Sequence, residues 1–272
     1  MNVIGLGNCG CNIAEQLGKY PQYNAFLIDT EPRTGENFYL LPEKKHPEQY
    51  ESECPDLTQF LNCNGDVMFI VGGSGIVSAS ALRILQSVKH CNISVLYIKT
   101  DQQLLAQTQK LQQRATFHIL QEYARSGVFE QIILVDNTSV SEMIGELSIA
   151  DYYESLNQTI VPMVHFINVF NNSKPVMTTF GPFADVSRIR TLGMVNVETG
   201  EEKLIFPLDN RNETRYYYAI NAKSLKEDGT LHNKIRKQLK GKNEKSSFGI
   251  FETSYDKNFC YSLVCSREIV QL

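Results

Sequence analysis

The feature that most constrains this chain is a junction that occurs twice, in which an apolar strand runs into glycines and then into a helix. "VIGLGNCGCNIAEQL" (3–17) carries Gly5, Gly7 and Gly10 in the spacing G-x-G-x-x-G. "DVMFIVGGSGIVSASAL" (66–82) carries Gly72, Gly73, Ser74 and Gly75. Glycines at a strand end let the backbone pass close to a phosphate, and the amides of the following helix start face the negative charge. Two such loops facing one site can hold a polyphosphate from both sides. A single loop also suits a ligand-free tight turn.

The remaining pattern repeats strand then helix. "AFLIDT" (25–30) ends on Asp29 as a second buried strand, and 31–56, with its four prolines and many charges, reads as a long surface loop. "DLTQFLN" reads as a brief helix and "VSASALRILQSVKH" as a longer one. "ISVLYIKT" (93–100) and "QIILVDN" (131–137) are strands separated by an amphipathic helix that Gly127 closes, and 141–170 holds one or two more helices. This order predicts an α/β fold: a doubly wound parallel-sheet nucleotide-binding domain (1–150), a central connecting helix (151–175) and a smaller α+β C-terminal domain (176–272). In the last part "KLIFPL", "RYYYAINA", helix "LHNKIRKQLKG", "SSFGIFETSY" and "FCYSLVC" follow, with "DKN" as the turn of a hairpin.

Composition narrows the function classes. A 272-residue chain with 42% hydrophobic residues buries a large core, and a net charge of −4 gives no electrostatic reason to expect nucleic acid or an anionic membrane as partner. The start "MNVIGLG" lacks the basic flank of a signal peptide and no stretch is a membrane span, so a soluble cytoplasmic protein is expected. None of the seven cysteines forms a C-x-x-C pair and the five histidines are scattered, so no metal ligand is assigned.

Taken together, these motifs resemble those of the tubulin/FtsZ superfamily along the whole chain. "IGLGNCGCN" is similar to the family's opening loop, including Asn12, and "VGGSGIVSASAL" to its second phosphate loop, with Ser74 in the threonine position and Ile76 and Val77 as departures. "LIDTE", "YIKT" and "VDN" resemble the segments that follow. The resemblance implies that Gly7, Asn8, Gly10 and Asn12 in the first loop and Gly72, Gly73, Ser74 and Gly75 in the second hold the phosphates of GTP or GDP. It places Asn137 and Tyr153 at the base, with Asp101 near the ribose. Mg²⁺ is expected with a triphosphate, because the charge on the bridging oxygens must be neutralised.

"FGPFADVSRIRTLG" (180–193) resembles the family's loop that one subunit presents to the nucleotide of the next. Asp185 stands for one of its acids; Pro182 replaces the other and Phe180 an asparagine. The resemblance therefore implies head-to-tail self-assembly, or assembly with a tubulin-like partner, with weak or partner-dependent GTP hydrolysis. Two other readings stay open: a catalytically silent assembly protein, favoured by Pro182, Ile76 and Val77, and a nicotinamide-dependent oxidoreductase, favoured by Gly5, Gly7, Gly10 and a ribose-binding Asp29.

Overall fold

Each apolar strand of the first half places alternate residues on opposite sides of one sheet, and both sides are covered. In the computed structural model, which describes residues 1–240 and 245–271, the strands β1 (Asn2–Leu6), β2 (Asn24–Asp29), β3 (Phe38–Leu40), β4 (Asp66–Gly72), β5 (Asn92–Lys99) and β6 (Gln131–Asp136) are parallel, in the order β3-β2-β1-β4-β5-β6. On β4, Met68 and Ile70 pack with α1 (Gly7–Leu17) and α6 (Tyr152–Asn171). Its Val67, Phe69 and Val71 pack with α3 (Ala81–Ser87) and α4 (Gln107–Arg125) on the other side. Burial on both faces is why these strands read as continuous apolar runs. The chain passes from β1 outward to β2 and β3, then returns to β4 on the other flank of β1. The sheet order therefore reverses between β1 and β4, the place where open α/β sheets bind ligands.

The sheet continues past β6. β8 (Ile189–Val195) runs parallel to β6 from Ile132↔Ile189 to Leu134↔Thr191. Beyond it come β12 (Phe259–Ser266), β10 (Glu213–Asn221), β11 (Lys245–Thr253) and β7 (Met177–Thr178), with β9 (Glu202–Leu204) on β8, making one mixed sheet of twelve strands. α5 (Asn137–Ile144) follows β6, and α7 (Ala222–Glu227) and α8 (Leu231–Leu239) follow β10. The end of the expected helix at Gly241 lies outside the described residues.

Three local expectations are corrected. The segment 31–56 is not an unstructured loop: it contains β3 and the short helix α2 (Pro47–Ser52), whose first residue is a proline, tolerated there because that N–H has no helical partner. "DLTQFLN" forms a turn at 58–60 and no helix. "DKN" does not close a hairpin, because β11 and β12 are not neighbours: both pair with β10, parallel and antiparallel respectively. The connection 254–258 crosses the end of β10, where Asn221 Nδ2 donates to the Tyr255 carbonyl (2.7 Å) and the Asn221 amide to Asn258 Oδ1 (2.8 Å).

Candidate functional site

The glycines divide by what surrounds them. A β-carbon on Gly5 would lie 2.5 Å from the carbonyl oxygen of Gly10, and one on Gly10 would run into the Ile70 carbonyl, so these two bring α1 close against β1 and β4. Gly7 adopts φ +67°, a left-handed turn that glycine takes without strain, and its α-carbon faces Val77 of the other loop. A β-carbon on Gly75 would meet Val77 Cγ1 at 3.8 Å, an ordinary contact.

Between the two loops lies a cavity of about 410 Å³ at the carboxyl ends of β1, β4, β5 and β6. Eight of the residues expected at a nucleotide line it. From the first loop come Gly7, Asn8 and Asn12; from the second, Gly72, Ser74 and Gly75; from the far side, Asn137 and Tyr153. Gly10 does not line it, for the packing reason just given. Nor does Gly73: a β-carbon there would sit 2.6 Å from Cζ of the fully buried Tyr97 and closer still to its hydroxyl. Gly73 is therefore small for the core beneath the loop. Asp101 is also outside the lining; its Oδ1 caps a 3-10 turn at the Gln103 amide (2.9 Å).

Thr100, Gln109, Leu156 and Asn157 are among the other lining residues and were not expected at the site from the sequence. Thr100 Oγ1 lies 2.9 Å from Ser74 Oγ, and Gln113 of α4 clasps the Thr100 backbone through both amide atoms (2.9 and 3.1 Å). Asn157 stands one helical turn after Tyr153, so i,i+4 spacing on α6 was the available signal. The side-chain amides of Asn137, 5% exposed, and Asn157 have no hydrogen-bond partner among the described residues.

Among the described residues, none that lines the cavity carries a charge. Instead four helices begin at the cavity, since Asn8, Gln109, Asn137 and Tyr153 lie in the first turns of α1, α4, α5 and α6. Each start presents the positive end of a helix dipole, which favours an anion; at α5 the Thr138 amide is already taken by Asp136 Oδ1 (3.0 Å). Burial pushes the Cys9 and Cys11 thiols up to about 12, so both stay protonated near neutral pH. Asp29, the candidate ribose acid, is 3% exposed and already engaged: Oδ1 accepts from the Thr30 amide (2.8 Å) and Oδ2 from Arg33 Nε (3.0 Å). It does not line the cavity.

Asp185 lies at the other end of the molecule. β8 starts opposite Ile132, near the beginning of β6, and runs parallel to it, so the segment 180–188 sits at the amino ends of the parallel strands. It is held from behind: Arg215 Nη2 donates to the Gly181 carbonyl (2.6 Å), Ser187 Oγ accepts from Asn212 (2.6 Å), and the Phe183 ring lies against the guanidinium groups of Arg190 and Arg215. Asp185 itself is exposed, and beside it Val186 shares a concavity with Arg125 and Arg267. Among the described residues no helix is long and apolar enough to cross a membrane.

No protein-family model and no curated protein matches the sequence. Solved structures do match in shape. CetZ from Methanosaeta thermophila strain DSM 6194 superposes with a TM-score of 0.71 at 13% identity, over 98% of this chain and 86% of that one. The FtsZ dimer of M. jannaschii gives 0.70 at 12% identity (97% and 87%). TubZ of Bacillus thuringiensis serovar israelensis, in GDP-form protofilaments, gives 0.71 at 14% (97% and 86%).

Proposed function

We propose that this chain, which has the tubulin/FtsZ fold, binds a guanine nucleotide and associates head to tail. The carrying observation is the uncharged cavity on which four helix starts and both glycine loops converge. Phosphates fit at the β1–β4 switch point, and the base fits by Asn137, two strands further across the sheet, about 10 Å away at ~4.8 Å per strand. Asn137 and Asn157 would read the base edge, Tyr153 would stack on it, and Ser74 would meet a phosphate. Because no carboxylate lines the cavity, a Mg²⁺ ion would be held by phosphate oxygens and water. Two of the matching structures are a GDP-form and a GTPγS-bound protofilament, which supports the same ligand class and assembly here.

Head-to-tail contact would bring Asp185, with Arg125 and Arg267 beside it, from one copy to the neutral cavity of the next. Pro182 adds no second acid, which supports slow turnover, or none, in a protein that assembles on bound nucleotide. The test is calorimetric titration with GTP, GDP, ATP and NAD. Binding of GTP and GDP at least about tenfold tighter than ATP, a difference of about 1.4 kcal/mol, is expected. Equal affinity for ATP, or tight NAD binding without GTP binding, overturns the reading.

A further inference from the structure

Arg33 lies outside the cavity, in the segment after β2, and its side chain is only 13% exposed. Five acceptors surround its guanidinium. Nε meets Asp29 Oδ2 at 3.0 Å; Nη1 meets Asn12 Oδ1 at 2.8 Å and Glu15 Oε1 at 3.4 Å. Nη2 meets Asn8 Oδ1 at 2.6 Å and the Asn8 carbonyl at 3.3 Å. Two carboxylates thus brace a cation against the side chains of both asparagines of the first glycine loop.

A guanidinium has donors and no acceptor, so the oxygen of each amide must face it and each NH₂ must turn away. Asn8 and Asn12 both line the cavity, and neither NH₂ has a partner among the described residues. We propose that Arg33 is a positioning residue for the ligand's phosphates. It holds Asn8 and Asn12 in the orientation that offers donors to an anion and keeps their oxygens, which would repel it, on the far side. The proposal rests on the nucleotide reading above, and it explains how a cavity without a charged side chain gains oriented donors beyond its backbone.

The test compares GDP, which has phosphates, with guanosine, which has none. Arg33→Met keeps the aliphatic stem and removes every donor. It is expected to weaken GDP by about tenfold, the order of one or two lost hydrogen bonds, while guanosine affinity stays within about twofold. Asn8→Asp keeps an oxygen for Arg33 but replaces the outward NH₂ with a second, negatively charged acceptor. It is expected to weaken GDP more than Arg33→Met does and again to spare guanosine. Parallel losses for GDP and guanosine in Arg33→Met would show that Arg33 merely anchors the loop and would overturn the proposal, as would unchanged GDP affinity in either variant. If the unsubstituted protein binds neither GDP nor GTP, the nucleotide reading falls and this falls with it; tight GDP binding retained in Arg33→Met sinks only the role of Arg33.

Discussion

Asn137 and Gly73 stood side by side in the sequence reading, yet their surroundings predict opposite consequences. Asn137 gives its amide to no other described residue, so Asn137→Ala removes a contact to ligand and none within the protein. A net hydrogen bond of about 0.5–1.5 kcal/mol predicts a 2- to 10-fold rise in the Kd for GDP. The urea midpoint of the nucleotide-free protein should stay where it is. Gly73→Val drives side-chain atoms into Tyr97, whose hydroxyl donates to the Gln113 carbonyl (3.1 Å), and overpacking of this kind costs about 1–3 kcal/mol. Its urea midpoint should fall, and a midpoint equal to that of the unsubstituted protein would contradict the assignment. That Gly7, Gly72, Gly75 and Asn137 line one cavity was legible because each stands at or just after a strand end. Arg33 was not, since Asn8, Asn12 and Glu15 are distant in sequence and only the fold brings them to its guanidinium; Asn157 carried a signal only through its i,i+4 spacing to Tyr153. The packing of Gly73 on Tyr97 was not legible, because a glycine needed for its neighbour's bulk looks the same as one needed for a ligand.

Among the elements, the contact between α6 and the turn after α1 depends on one imidazole. The His165 ring stacks on Tyr20 at 3.8 Å, and Nδ1 lies 3.2 Å from Tyr23 Oη, which also accepts from Asn168 Nδ2 at 3.1 Å. The Tyr23 hydroxyl has one proton to give, and Nδ1 takes it when that nitrogen is unprotonated. Burial lowers the His165 pKa below its usual value. A depressed folded-state pKa means the unfolded chain binds the proton more readily, so this contribution is complete above about pH 6.5 and is lost as pH falls from there through the folded value. The urea midpoint should therefore drop between about pH 7 and about pH 5, and His165→Phe, which keeps the ring stack, should flatten that slope. A slope unchanged in the variant would assign it to other groups. The parallel strands were legible because burial on both faces writes them as apolar runs. The pairing of β11 was not, because "DKN" has turn chemistry that serves a crossing over β10 as well as a hairpin, and turn residues do not name a partner strand.

At the scale of the whole molecule the two surfaces proposed for ligand and assembly lie at opposite ends of the parallel strands, the cavity at the carboxyl ends and Asp185 at the amino ends. Asp185→Ala should leave the Kd for GTP unchanged. Any phosphate release by the unsubstituted protein should rise more steeply than linearly with protein concentration and fall in the variant at equal polymer mass, as measured by sedimentation with a slowly hydrolysed GTP analogue. A rate proportional to concentration, with no sedimentable polymer, would count against head-to-tail assembly. β12 has a consequence of a different kind. It lies between β8 and β10, and among the described residues the sheet path from the parallel strands to β10, β11 and β7 runs through it. While the protein is being synthesised, the parallel strands and their helices can begin to pack as they emerge, but β10 and β11 have no place in the sheet until residues 259–266 have left the ribosome. Completion of this sheet therefore waits for β12, which follows both of its neighbours in the chain, and a nascent chain stalled short of Ser266 would expose the edges of β8 and β10 together.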